Sequence, residues 1–367
     1  MAKKENRNKK PLNVNKGVDQ PESFNRDAAR KLVAARKKRM LVEELVRGIL
    51  GGERTVLSRA ITMVESTLAR DQETAQQVIA GCLPKAGNSI RLGITGVPGV
   101  GKSTFIEAFG KMLTSKGHKV AVLAVDPSSQ RSKGSILGDK TRMEELASDE
   151  MAFIRPSSTA GTLGGVARRT RESIILCEAA GFDVIIVETV GVGQSEVAVH
   201  GMVDFFLLLM LPGAGDELQG IKRGIMEMAD GIVINKSDGS NKEKAALAKA
   251  ELDNALHLFP PKEGGWVPPV NLCSSVYREG LKEVWDFISD FRDGMTNSGF
   301  FAAKRKEQAV RVLEETIDNE LRSAFYNDPA IREKFEQMKR QILTDELSPY
   351  QAAGKIVGEF MRGLRSE

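Results

Sequence analysis

"GITGVPGVGKSTFIEAFG", residues 93–110, closes an apolar run and opens an amphipathic one. Inside it, Gly96 to Ser103 fits the pattern G-x-x-x-x-G-K-[ST]: Gly96, Gly101, Lys102 and Ser103 hold the fixed positions, and Val97, Pro98, Gly99 and Val100 fill the rest. Glycines at these places let backbone N–H groups turn inward around a phosphate. Lys102 is placed to reach the β- and γ-phosphates, and the Ser103 hydroxyl to ligate Mg²⁺. Thr104 and the first turn of the following helix add further N–H donors and the positive end of the helix dipole. The loop alone does not say which base is bound.

Outward from that loop the middle of the chain alternates. Short runs rich in β-branched residues recur: "IRLGITG", "KVAVLAVD", "AFIRP", "FDVIIVETVG", "VDFFLLLMLPG", "DGIVINK" and "VNLCSS". Continuous apolar character of this kind suits strands covered on both faces, as in a parallel sheet. Helical segments lie between most of them, which predicts a doubly wound α/β domain with a mostly parallel sheet. Ligands of such sheets bind where the strands end.

The base is read further on. "DGIVINKSDG" ends a run in Asn235-Lys236-Ser237-Asp238. In N-K-x-D the aspartate accepts from the ring N–H and exocyclic amine of guanine, neither of which adenine offers, and a site built on such a contact discriminates by roughly 10⁴. Ser274 and Ser275, in "CSS", end the next run and could back the guanine carbonyl with main-chain N–H groups. The expected ligand is therefore GTP, with GDP as its product.

Three carboxylates fall at strand ends or just beyond them. Asp126 closes "VAVLAVD", Asp139 lies in the Gly/Ser-rich stretch after it, and Glu188 closes "FDVIIVE". Mg²⁺ keeps several waters and takes only one or two carboxylates directly, so not all three can ligate it at once. Turn and capping chemistry is the ordinary alternative for Asp126 and Asp139. Gly191, three residues after Glu188, is spaced to meet a γ-phosphate through its N–H, the behaviour of a switch. Val192 stands where a water-positioning glutamine would sit, and Gln194 comes two residues later. That points to slow intrinsic hydrolysis, with parts supplied by a partner.

The flanks are helical. Residues 1–27 are Lys/Asn-rich with few large apolar groups and read as a disordered basic lead-in. A helical extension follows over 28–88, where Leu57, Ile61, Val64 and Leu68 make one stripe. The nucleotide-binding domain spans 89–298. Beyond it, over 299–367, Val310, Leu313, Ile317 and Leu321 form a stripe, and Ile331, Phe335, Met338 and Ile342 another. These helices either pack on their own domain or form a dimer arm.

A net charge of +4 with 28% charged residues is too weak to argue for nucleic acid. The longest apolar run, Phe205 to Leu211, is too short to cross a bilayer, and the N-terminus lacks the apolar core of a secretory signal. Cys82, Cys177 and Cys273 lie far apart, as do the 3 histidines, which predicts a cytoplasmic setting with neither disulfides nor a zinc site.

With these residues assembled, the chain resembles the MeaB/ArgK family of P-loop GTPases, bacterial relatives of the human methylmalonic aciduria type A protein. The resemblance rests on "SRAITMVES", "GVPGVGKST", "VLAVDPSSQRSKGSILGDKTRM", "IRPSSTAGTLGGVA", "VETVGVGQSE", "PGAGDELQGIKRGIMEMADGIVINKSD" and the helical tail. It implies a P-loop core of the SIMIBI type and a homodimer formed through the C-terminal helices. It further implies a GTPase chaperone of an adenosylcobalamin-dependent acyl-CoA mutase, chiefly methylmalonyl-CoA mutase, that gates cofactor loading and protects the mutase. By position, Lys102, Ser103, Asp126, Asp139 and Glu188 match the phosphate and magnesium set, and Asn235, Lys236 and Asp238 the base set. Asp216 and Lys222, in "GDELQGIKRG", match a loop associated with coupling to the partner. Families of this kind usually read Ser-Ala where this chain has Ser274-Ser275. Three rival readings remain: an ATP-using protein kinase, which "NKSD" disfavours; a GTPase metallochaperone, which commonly carries His- or Cys-rich tracts absent here; and a pure assembly factor whose nucleotide is a structural ligand, which only kinetics excludes.

Overall fold

The computed structural model describes residues 40–125, 143–156, 163–189, 196–213, 223–260 and 262–363. Each of the seven apolar runs forms a strand: β1 Ile90–Gly96, β2 Val120–Val125, β3 Ala152–Pro156, β4 Val184–Thr189, β5 Phe205–Met210, β6 Gly231–Ile234 and β7 Val270–Leu272. They make one sheet in the order β3-β2-β4-β1-β5-β6-β7, and every ladder is parallel. Every residue of β2, β4, β5 and β6 is buried. That is why these strands are apolar without alternation: helices cover both faces.

The helices are α1 Val42–Leu50, α2 Arg54–Glu65, α3 Ala69–Cys82, α4 Lys102–Ser115, α5 Glu144–Ala147, α6 Leu163–Ala179, α7 Glu196–His200, α8 Arg223–Met228, α9 Lys242–Leu256 and α10 Leu281–Asn297, then α11 Phe300–Asn327, α12 Pro329–Leu343 and α13 Pro349–Gly363. One face of the sheet is closed by α4 and α10. Phe105 and Phe109 stack at 5.3 Å, and Trp285 meets Phe109 edge-on at 6.2 Å. This aromatic layer lies directly behind the phosphate loop and fixes the axis of the helix that opens from it.

One expectation changes. Leu68 is not part of the stripe of Leu57, Ile61 and Val64: α2 ends at Glu65, and Leu68 is 51% exposed at the head of α3. The reason is local. The Ser66 hydroxyl donates to Asp71 Oδ2 at 2.9 Å and accepts from the Leu68 N–H at 3.2 Å, so a side chain takes over where the helix would have continued. At the other end, α11 buries none of its residues. It meets the sheet with polar groups: Arg305 Nη2 donates to Asp204 Oδ2 and Ser89 O, both at 2.6 Å, and Gln308 Nε2 donates to Val203 O at 2.9 Å. Its apolar stripe of Val310, Leu313, Ile317 and Leu321 stays 49–59% exposed. The Asp328 carboxylate caps α12 through the Ala330 and Ile331 N–H groups, and Ile331, Met338, Ala352 and Ile356 bury the contact between α12 and α13.

Candidate nucleotide-binding site

Three loops converge at the carboxyl ends of β1, β6 and β7. The first is the phosphate loop between β1 and α4. Gly96 passes so close to β5 that a Cβ there would lie 2.5 Å from Leu209 O. Gly101, with φ of 93°, leaves only 2.9 Å between such a Cβ and Asn235 Nδ2. Both positions exclude side chains for steric reasons, apart from any ligand. Lys102 Nζ donates to Gly96 O at 2.7 Å, so its stem already curls back over the loop. Burial lowers its pKa, while the carboxylates of Glu188 and Glu196 pull the other way.

Glu188 is 5% exposed, and its Oε1 accepts from Ser103 Oγ at 3.3 Å. A hydroxyl and a carboxylate facing each other are hard oxygen donors of the kind Mg²⁺ takes, with phosphate and water completing its shell. The pair therefore fits that ion. No cluster of three or more His, Cys, Asp or Glu side chains suited to a metal occurs among the described residues. Asp126, Asp139, Gly191, Gln194, Asp216 and Lys222 lie outside the described residues.

The second loop follows β6. Asn235 is 1% exposed, and its Nδ2 donates to Val100 O at 2.9 Å. Lys236, at φ of 58°, donates through Nζ to Gly99 O at 2.8 Å. Both residues thus hold the N-K-x-D loop against the phosphate loop. The third loop follows β7. Ser274 Oγ donates to Asp238 Oδ2 at 2.5 Å, which orients that carboxylate. The Ser274 N–H donates to Glu279 O at 3.0 Å, and the Ser275 N–H to Asn235 Oδ1 at 3.2 Å. In this structure the two serines therefore brace Asp238 and Asn235 of the N-K-x-D loop. The whole third loop turns at Gly280, where a Cβ would meet Leu272 O at 2.1 Å.

Sequence reading missed a buried clip next to these groups. Thr189 Oγ1 donates to Thr95 Oγ1 at 2.9 Å, and both residues are fully buried. The clip ties the ends of β4 and β1, which carry Glu188 and Gly96, into one register. A threonine near the end of each run is visible in the sequence, but their contact is not. Glu196, 2% exposed at the start of α7, was missed as well. Two cavities lie away from these loops: about 340 Å³ beside Arg91, Glu178 and Arg305, and about 520 Å³ beside Phe259 and Trp266.

Known proteins are similar to this chain over most of its length. The family model described as methylmalonyl-CoA mutase-associated GTPase MeaB matches residues 57–330. A protein of Mycobacterium tuberculosis named as a probable GTPase is 51% identical over 316 residues, 86% of this chain and 94% of its own. GTPase ArgK of Escherichia coli is 47% identical over 306 residues, covering 83% and 92%. The mitochondrial methylmalonic aciduria type A homolog of Mus musculus is 48% identical over 334 residues, covering 88% and 80%. Among solved structures, a LAO/AO transport system kinase superposes with a TM-score of 0.69 at 40% identity, over 88% of this chain and 97% of that one. A phosphate loop, a braced N-K-x-D reader and these likenesses lead to one conclusion: the chain belongs to the MeaB family of methylmalonyl-CoA mutase-associated P-loop GTPases.

Proposed function

We propose that this protein binds GTP with Mg²⁺ in the cleft between the three loops, hydrolyses it slowly to GDP and phosphate, and works as a homodimeric chaperone of an adenosylcobalamin-dependent acyl-CoA mutase in the cytoplasm. Methylmalonyl-CoA mutase is the favoured client. The observation that carries the nucleotide choice is Asp238, held by Ser274 and joined through Asn235 to the phosphate loop, in a chain of a mutase-associated GTPase family.

In this reading Lys102 leaves Gly96 O for the β- and γ-phosphate oxygens and neutralises charge there. Ser103, Glu188, Asp126 and Asp139 are the oxygen donors for Mg²⁺, of which one or two carboxylates would ligate it directly and the others through water; when bound, the ion would offset charge on the same phosphate oxygens. Gly191 contacts the γ-phosphate, and Gln194 is the candidate to orient the attacking water. Asp216 and Lys222 couple the site to the mutase. Val192 following Gly191 leaves water positioning incomplete, so the mutase completes it and raises the rate. The exposed stripe of Val310, Leu313, Ile317 and Leu321 supports the dimer arm, since a contiguous apolar face of this length calls for a partner surface.

The chaperone role is tested by size-exclusion chromatography of the protein with purified mutase. A complex whose population changes between GDP and a non-hydrolysable GTP analogue is expected. Absence of a complex with every nucleotide would leave a GTPase with another client.

A further inference from the structure

Asn235 is the joint between base reading and phosphate binding, and the structure shows what holds the joint. Its Nδ2 donates to Val100 O at 2.9 Å, and its Oδ1 accepts from both the Ser275 N–H at 3.2 Å and the Ser275 hydroxyl at 2.7 Å. A carbonyl on one side and an N–H on the other fix the amide in one orientation. The hydroxyl is the shorter of the two contacts to Oδ1. Asn235 and Ser275 are 1% and 4% exposed, so water is not at hand to replace a lost partner. On the far side Gly101 gives Asn235 just enough room, since a Cβ there would stand 2.9 Å from Nδ2. The asparagine is therefore clamped between the loop after β7 and the phosphate loop.

We infer that the Ser275 hydroxyl is a positioning residue for nucleotide retention: by locking Asn235 it fastens the base-reading loop to the phosphate loop and slows the release of GDP and GTP alike. The inference rests on the guanine-nucleotide reading of the same cleft. It gives Ser275 a task other than touching the base, through a hydroxyl that Ser-Ala at these positions would lack.

Removing a hydroxyl from a buried amide costs a hydrogen bond and leaves an acceptor poorly satisfied, which corresponds to about a 5- to 30-fold change in an equilibrium or rate. The experiment measures release of fluorescent GDP and of a non-hydrolysable GTP analogue from full-length wild type and Ser275→Ala, together with the affinities for GDP and inosine diphosphate. Release of both guanine nucleotides should quicken by about 5- to 30-fold, while the ratio of GDP to inosine diphosphate affinity stays as in wild type. In an Asn235→Ala background, adding Ser275→Ala should change release little further, because the hydroxyl then has nothing to lock. Release within twofold of wild type would overturn the inference. So would a fallen GDP preference, which means a direct base contact, or a full additional effect in the Asn235→Ala background. If wild type itself fails to bind guanine nucleotides, the function proposed above fails, and the outcome is distinct from a failure of Ser275. Should Asn235→Ala not fold, the single variant and its two ratios still decide.

Discussion

In the proposed function Asp238 presents both carboxylate oxygens to one edge of a base, and a lone aspartate on a turn would swing. The Ser274 hydroxyl at 2.5 Å holds it. Asp238→Asn should therefore lower the preference for GTP over ATP by about 10- to 100-fold, the worth of a charged hydrogen bond in a desolvated site, as read by competition binding. Ser274→Ala should move the same ratio in the same direction and less far. Lys102→Ala should abolish tight GTP binding or turnover; retention of both at wild-type levels would contradict the phosphate-loop assignment. At this scale the placement of residues beyond the strand ends was most legible where a motif fixes both residue type and spacing, as at Lys102, Ser103 and Asp238. It was least legible where partners meet only after folding. Thr95 and Thr189 are 94 positions apart, and nothing local announces that their hydroxyls touch. Glu196 is likewise an ordinary acid until the fold brings it near Lys102.

Elements explain what single residues do not. The strands were readable because burial on both faces removes any polar alternation, and each predicted run appears in the sheet. The stripe ending at Leu68 misled because helical spacing persists across a break that Ser66 and Asp71 create. The phosphate loop and α4 act together: Gly101→Ala should weaken GTP binding at least tenfold, because the new methyl strikes Asn235 and φ of 93° disfavours it. Calorimetric titration with GTP checks this. Helix α7 makes a prediction about pH. Burial first, and then the Lys304 ammonium, push the His200 imidazole down to about 4 from its ordinary 6.5. Between those values the unfolded chain takes up a proton that the folded chain refuses, so stability rises with pH across the window and is lost as pH falls through it. The melting temperature of His200→Leu should fall less steeply between pH 7 and 5 than that of wild type. Equal slopes would show that His200 is not the group responsible.

Across the whole molecule, the candidate nucleotide loops gather at the carboxyl ends of the strands, while Arg305 and Gln308 fasten α11 to Asp204 and Val203, just before β5 begins. The arm is thus anchored by polar contacts and keeps its apolar stripe outward. Sequence periodicity revealed the stripe but not its direction, since the same spacing serves a helix packed inward or outward. Ile317→Glu, on the exposed face, should shift the protein from dimer to monomer in sedimentation without loss of GTP binding. A dimer that persists unchanged would place the interface elsewhere. The central claim, a guanine-specific switch that answers to a cobalamin-dependent mutase, is tested most directly by steady-state hydrolysis of GTP, with ATP as control, in the absence and presence of purified methylmalonyl-CoA mutase. The account predicts slow GTP turnover that rises many-fold with the mutase and negligible ATP turnover; hydrolysis of ATP in place of GTP, or a GTP rate indifferent to the mutase, would contradict it.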